Sequence, residues 1–288
     1  MTSSATRRFK QVDVFTRTPF RGNPVAVVLD AQDLSDDTLQ RIAAWTNLSE
    51  TTFVLQPTTP NADYRLRIFT PRAELPFAGH PTLGSAHAVL EAGIVKPRDG
   101  RLRQQCGAGV IELCVDGDRL WLKAPRATLS AIAPERWADA EGALGARVVG
   151  EPRVVDVGPA WLVAELGDHA AVDGCAPELA RVAALSAALG ITGITIFGAT
   201  SATDCAMHVR SFAPAHGIAE DPVCGSGNIS VAAYLAATGG LARFGARYEA
   251  RQGMSLGRDG RVALRVDDGE IYLGGQAVTA VEGELRVS

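Results

Sequence analysis

Two short stretches concentrate the residue types that move protons and hold anions. His80 lies in P-F-A-G-H-P-T-L-G (76–84) and Asp221 in E-D-P-V-C-G-S-G (220–227). Each mixes Pro and Gly ahead of a run of small apolar residues, the composition of a strand turning into a helix. The first N–H groups of a helix have no partner inside it, and with the helix dipole they attract an anion. Two such ends facing one pocket would hold a small carboxylate, with His80 and Asp221 on opposite sides of it. Ordinary strand-to-helix turns share this composition, so spacing alone leaves both readings open. A third candidate is Glu50, in N-L-S-E (47–50) just before an apolar strand. Desolvated at a pocket mouth, its carboxyl would be pushed toward the range needed for proton shuttling. As a solvated cap residue it would do nothing, and the residues by themselves do not choose.

Other chemistries lack their signatures. Gly225-Ser226-Gly227 has Ser230 where a dinucleotide fingerprint needs a third Gly, and no G-K-[ST] follows. There is no G-x-S-x-G elbow. His80, His87, His169, His208 and His216 form no H-E-x-x-H, so no catalytic metal is expected. Five cysteines without a C-x-x-C pair argue against a disulfide framework or a structural zinc site.

The elements that must position these residues occur twice. Phe69-Thr70-Pro71 matches Phe212-Ala213-Pro214 at an offset of 143 (212 less 69), and Gly84 matches Gly227 at the same offset. Leu39 to Ala44 matches Leu179 to Ala184 at 140 (179 less 39). Period-two alternation predicts strands at 9–15, 51–56 and 64–69, and a hairpin at 110–123 around Asp116-Gly117-Asp118. Ser35 as N-cap, with Leu39, Ile42 and Ala43 at helical spacing, predicts a helix from Leu34 to Trp45. Runs 82–91 and 226–237 are helical and apolar nearly all round, which places them in a core. Strands at 154–157, 161–166, 194–197, 207–212, 245–251, 261–266 and 271–274 repeat the order, and 277–287 is expected to return to the first half.

The predicted fold is therefore α+β, with two pseudo-symmetric domains, each a curved, mostly antiparallel sheet wrapped around a central helix. The expected division is 1–128, completed by 277–288, and 129–276. A chain of 288 residues is long enough to split into two cores. A hydrophobic fraction of 47% with 21% charged residues fits a globular protein. A net charge of −4 without a Lys/Arg run argues against nucleic-acid binding. The N-terminal M-T-S-S-A-T-R-R-F-K has no apolar h-region and no run is long enough to span a membrane, so a cytoplasmic location is expected.

R-G-N-P-V-A-V (21–27), N-L-S-E-T-T-F-V (47–54), R-I-F-T-P-R-A-E-L-P-F-A-G-H-P-T-L-G (67–84) and E-D-P-V-C-G-S-G (220–227), in this order, resemble the PhzF-like phenazine-biosynthesis family. The likeness runs from about Phe9 to the C-terminus. It implies the diaminopimelate-epimerase-like fold, a homodimer, and an isomerase that needs no cofactor. The type member moves a double bond in trans-2,3-dihydro-3-hydroxyanthranilate by transferring a proton between ring carbons. Carried over, Glu50 is the general acid/base, with His80 and Asp221 holding and polarising the substrate between the domains. Ser49, Gly79, Gly225 and Ser226 supply donors to its carboxylate and polar groups. The related epimerases place a cysteine at each helix start; here only the second position carries one, Cys224, and the first carries Gly79-His80. Cys224 is read as a pocket-lining residue. The alternatives are an amino-acid epimerase or racemase that uses Cys224, and a small-molecule binder without chemistry.

Overall fold

The computed structural model describes residues 5–287. The first four residues of the N-terminal segment discussed above, and Ser288, lie outside the described residues. In chain order the elements are β1 (Ala5–Val14), β2 (Asn23–Val28), α1 (Asp36–Thr46), β3 (Thr51–Leu55), β4 (Tyr64–Phe69), β5 (Glu74–Leu75), α2 (Gly79–Glu91), β6 (Arg101–Cys106), β7 (Gly109–Asp116) and β8 (Arg119–Lys123). There follow β9 (Thr128–Ala131), α3 (Pro134–Leu144), β10 (Val149–Asp156), β11 (Ala160–Asp168), α4 (His169–Asp173), α5 (Leu179–Leu189), β12 (Gly193–Ala199) and β13 (Met207–Ala213). The last are β14 (Ile218–Asp221), α6 (Gly225–Thr238), α7 (Leu241–Phe244), β15 (Arg247–Gln252), β16 (Gly260–Asp267), β17 (Glu270–Gly275) and β18 (Ala277–Val287).

The chain forms two compact units. One runs to Leu122 and takes in the residues from Gly275 onward, and the other is Lys123–Gly274. In the first, β18, β1, β2, β3, β4, β6, β7 and β8 lie side by side, antiparallel except at β2–β3 and β4–β6, with β5 returning against β4. In the second the order is β9, β10, β11, β12, β13, β15, β16 and β17, antiparallel except at β11–β12 and β13–β15, with β14 returning against β13. The sense of every pairing is the same in both, so the repeat is one of whole topology. The place that β9 fills in the second unit is filled in the first by β18, from the far end of the chain.

Each sheet is covered on two sides. Val25 and Val28, three apart on β2, must face opposite ways because strand side chains alternate. Val25 lies under α2, where a Cβ on Gly84 would come within 2.4 Å of its Cγ1. Val28 instead packs with Leu39 and Ala43 of α1 and with Phe53 and Phe69. Helix α2 packs on β1, β2, β3, β4 and β18, and α6 on β10, β11, β12 and β16. Both are buried along most of their length, in keeping with the mainly small and apolar residues beyond their first turns. In the second unit α3 and α5 cover the outer face over Leu162, Ile194, Ile196 and Phe212.

Two of the matched positions are corrected by the structure. Helix α1 runs from Asp36 to its C-cap Asn47, and α5 from Leu179 to its C-cap Gly190, which aligns them at 143 (179 less 36). The buried Leu39 then corresponds to Val182, whereas Leu179, its match by letters at 140, is 37% exposed. The central helices have N-caps at Ala78 and Cys224, an offset of 146 (224 less 78), so Gly84 is the sixth residue of α2 while Gly227 is the third of α6. Similar letters one turn apart on an alanine-rich helix misled the match; caps and burial set the true register. Helix α3 is an addition to the elements expected from the sequence, bounded by Pro134 at its first turn and Gly145 as a left-handed C-cap.

Candidate active site

Glu50 leaves the turn between α1 and β3. Asn47 closes α1 in the left-handed conformation (φ 54), and the hydroxyls of Thr46 and Thr51 meet at 2.6 Å across the turn. The main chain of Glu50 is tied in as well, its carbonyl accepting from the N–H of Ala26 at 3.4 Å. The side chain is thus presented from a fixed support, with only 16% of its surface exposed. Its Oε2 lies 3.4 Å from Nε2 of His80, the second residue of α2, which is 9% exposed. Burial raises the Glu50 carboxyl above the ordinary glutamate range, and a hydrogen bond from the Ser49 hydroxyl only partly offsets this. Among the described residues, no donor reaches Oε2 in hydrogen-bonding geometry. Helix α2 begins at Gly79 with no side-chain cap on its first turn, and Pro81 has no N–H to offer. The first unit thus gathers Ser49, Glu50, Gly79 and His80: one buried carboxyl raised in pKa, one imidazole, and a helix start.

The second unit gathers Asp221, Cys224, Gly225 and Ser226. Oδ1 of Asp221 accepts from the N–H of Val223 at 3.0 Å, the Asx turn that leads the chain into α6. The thiol of Cys224 is the N-cap, its Sγ accepting from the N–H of Gly227 at 3.3 Å. Burial drives this thiol far above its usual pKa and the negative Asp221 adds to the shift, against the opposing donors from Ser226 and Gly227. Gly227 is required: a Cβ there would come within 2.5 Å of Ser211 Oγ and 2.8 Å of Thr195 Oγ1. The Ser226 hydroxyl accepts from the indole N–H of Trp161 at 3.0 Å. With a lone pair so occupied, the Ser226 proton is directed elsewhere, toward a ligand or toward Cys224 Sγ at 3.5 Å.

Two residues that hold this second cluster had no signal in the sequence, because their partners are distant along the chain. Trp161 is 65 residues from Ser226. Gln252 is fully buried and binds the Asp221–Asn228 turn at three points. Of the five histidines, His169 and His208 are in ring contact, their centroids 5.2 Å apart. Among the described residues no group of three or more His, Cys, Asp or Glu is placed to hold a metal ion, and no helix is long and apolar enough to cross a membrane.

Comparison with known proteins agrees with this architecture. The family model for phenazine biosynthesis-like proteins matches residues 12–283. Antisense-enhancing sequence 1 of Schizosaccharomyces pombe is 39% identical over 291 residues, covering 96% of this chain and 97% of its own. Trans-2,3-dihydro-3-hydroxyanthranilate isomerase of Pseudomonas aeruginosa is 33% identical over 283 residues, covering 96% and 94%. The crystal structure of a PhzF-family protein from Bacillus anthracis superposes with a TM-score of 0.85 over 98% of this chain and 100% of that one; at 24% identity this speaks to the fold. The family match spans nearly all of the chain that carries the doubled topology and both clusters, and the protein belongs to the phenazine biosynthesis-like PhzF family.

Proposed function

We propose that the protein is an isomerase that relocates a proton on a small carboxylate-bearing molecule, without a cofactor, using Glu50 as general acid and base. The observation that carries this is the buried Glu50 carboxyl, raised in pKa and 3.4 Å from His80 Nε2. A carboxyl raised above the ordinary glutamate range is a stronger base, better able to accept a proton from carbon and return it than a solvated glutamate. In the forward step the Glu50 carboxylate takes the C–H proton. The electron pair left behind delocalises into the substrate's conjugated system, and Glu50, now protonated, returns the proton to a second carbon. Charge developing on the substrate needs donors already in place. The proposal gives that task to His80, Ser49 and the helix start at Gly79, and assigns Asp221, Gly225 and Ser226 to holding the substrate's polar groups. It includes a homodimer working in the cytoplasm.

The thiol alternative has less support. A proton-transferring cysteine needs a lowered pKa, whereas burial pushes that of Cys224 up and its sulfur is engaged as the cap of α6.

The test uses trans-2,3-dihydro-3-hydroxyanthranilate, the compound in the Pseudomonas relative's name, together with a panel of small amino and hydroxy acids in deuterated water. Solvent deuterium should enter one of them with the native protein. Glu50→Gln should lose at least about a hundredfold in that rate while still binding. Undiminished exchange in Glu50→Gln would sink the proposal.

A further inference from the structure

The turn from Asp221 to Asn228 has little to hold it from its own sequence. Beyond the Asx turn, the Cys224 cap and the Trp161–Ser226 bond, one side chain from β15 ties it at three points. Nε2 of Gln252 donates to the backbone carbonyl of Asp221 at 3.0 Å. Its Oε1 accepts from the backbone N–H of Cys224 at 3.1 Å and from Nδ2 of Asn228 at 2.8 Å. The same Asn228 amide also donates to the Cys224 carbonyl at 2.8 Å. A single primary amide therefore spans the residue before Pro222, the cap of α6 and the fourth residue of that helix. It uses its donor and acceptor ends in a fixed sense. A related tie exists in the first unit, where Gln104 of β6 accepts from Tyr64 OH at 3.0 Å and donates to Thr82, the fourth residue of α2, at 3.0 Å.

We propose that Gln252 is a positioning residue for the reaction, fixing the carbonyl-to-cap span so that Asp221 and the N–H groups of Gly225 and Ser226 are presented together. This rests on the functional reading above. It adds that the orientation of the Gln252 amide, and not only its bulk, sets how well those groups bind. The decisive variant is Gln252→Glu. A protonated carboxyl has one O–H donor and one accepting oxygen, so it can copy the donated contact to the Asp221 carbonyl and the two accepted from Cys224 and Asn228. Once ionised it has no donor, and it sets a negative charge against the Asp221 carbonyl. Titratable groups facing this position come from the turn itself, Asp221 and Cys224. Its ladder partners on β13 and β16 are Val209 and Gly260, and Arg258 packs beside the adjacent Gly253. Desolvation and the nearby Asp221 both hold such a carboxyl protonated to higher pH than usual.

The experiment compares native protein, Gln252→Glu and Gln252→Leu across pH by two readouts. One is deuterium incorporation into trans-2,3-dihydro-3-hydroxyanthranilate, and the other is site-resolved alkylation of Cys224 by iodoacetamide. In Gln252→Glu at low pH, incorporation should be near native. As the new carboxyl ionises, KM should rise by at least about tenfold with a smaller change in kcat, and Cys224 alkylation should accelerate over the same pH range. Gln252→Leu should show the weakened binding at every pH. If it fails to fold, the pH series of Gln252→Glu decides alone. A Gln252→Glu profile that parallels the native one in both readouts overturns the positioning role. Should no compound exchange in the native protein, the reading of the reaction fails instead, while the alkylation series still judges whether Gln252 holds the turn.

Discussion

Lys10 Nζ lies 2.7 Å from a carboxylate oxygen of Glu91 and 2.9 Å from one of Glu282, although the lysine side chain is only 3% exposed. Three elements meet there: β1 supplies the lysine, α2 ends in Glu91, and β18 brings Glu282 and the Thr279 hydroxyl, which donates to Glu91 at 2.6 Å. The cluster pins the far end of the helix whose start carries His80, and ties it to the last strand of the chain. Desolvation works against the Lys10 ammonium, but its bonds to Glu91 and Glu282 outweigh that and hold its pKa above the ordinary lysine value.

Lys10→Ala should therefore destabilise the protein by about 2 kcal/mol, because it removes a buried stem together with its bonds to Glu91 and Glu282. Lys10→Met, which keeps the stem, should cost less than about 1 kcal/mol. Glu91 is held below its usual 4.5; burial opposes this shift and the bonds from Lys10 and Thr279 drive it. A lowered folded-state pKa gives stability that is present above 4.5 and lost as pH falls through the folded value. Chemical denaturation of both variants from pH 7 to pH 3 checks this: the gap between native protein and Lys10→Met should close on acidification.

Glu50 carries the opposite sign. Its folded-state pKa is raised above 4.5, so the cost of ionising it is absent at lower pH and grows as pH rises from there toward the folded value. Glu50→Gln should match native stability at pH 4 and exceed it at pH 8, by about 1 kcal/mol or more. An equal difference at both pH values would mean that the carboxyl is solvated and unsuited to the proposed role.

Cys224 should resist alkylation in the native protein at neutral pH, since its thiol is buried, raised in pKa and engaged with Gly227. Cys114 is exposed and should react first. Cys224→Ser keeps a hydroxyl cap and is expected to lose less than about tenfold in deuterium exchange. Complete loss would return the thiol to the mechanism.

Arg210 is the other costly position. Its guanidinium binds both oxygens of Glu220 at 2.9 Å and the carbonyls of Val172 and Cys175 at 3.0 and 2.6 Å, almost out of solvent. Arg210→Ala should lose about 3–5 kcal/mol. Arg210→Lys cannot rebuild the planar fork and should recover only part of that. Thermal melts order the two variants.

What could be read from the letters was what local physics enforces. Alternation placed β4 at Tyr64–Phe69 to the residue, the Asp116-Gly117-Asp118 turn marked the hairpin that holds β8, and Ser35 capped α1 as expected, accepting from the Thr38 N–H. Runs made mostly of small apolar residues marked α2 and α6 as central, because a helix without a polar face has to be enclosed. The doubled order of strands and helices was visible for the same reason. The family likeness rested on short motifs around Glu50, His80 and Asp221, where chemistry restricts the choice of residue.

Tertiary structure decided everything that depends on chain segments far apart. The equivalence of Leu39 with Val182 followed from burial, since helices rich in Ala and Leu match themselves at several offsets. That the Glu50 carboxyl is raised in pKa follows from its enclosure near His80, thirty residues along, and desolvation is a property of the surroundings. Gln252 and Trp161 gained their importance only when folding brought an amide and an indole N–H against the turn before α6. A sequence records which donors and acceptors exist, whereas their pairing and their removal from water are fixed by the packing of strands.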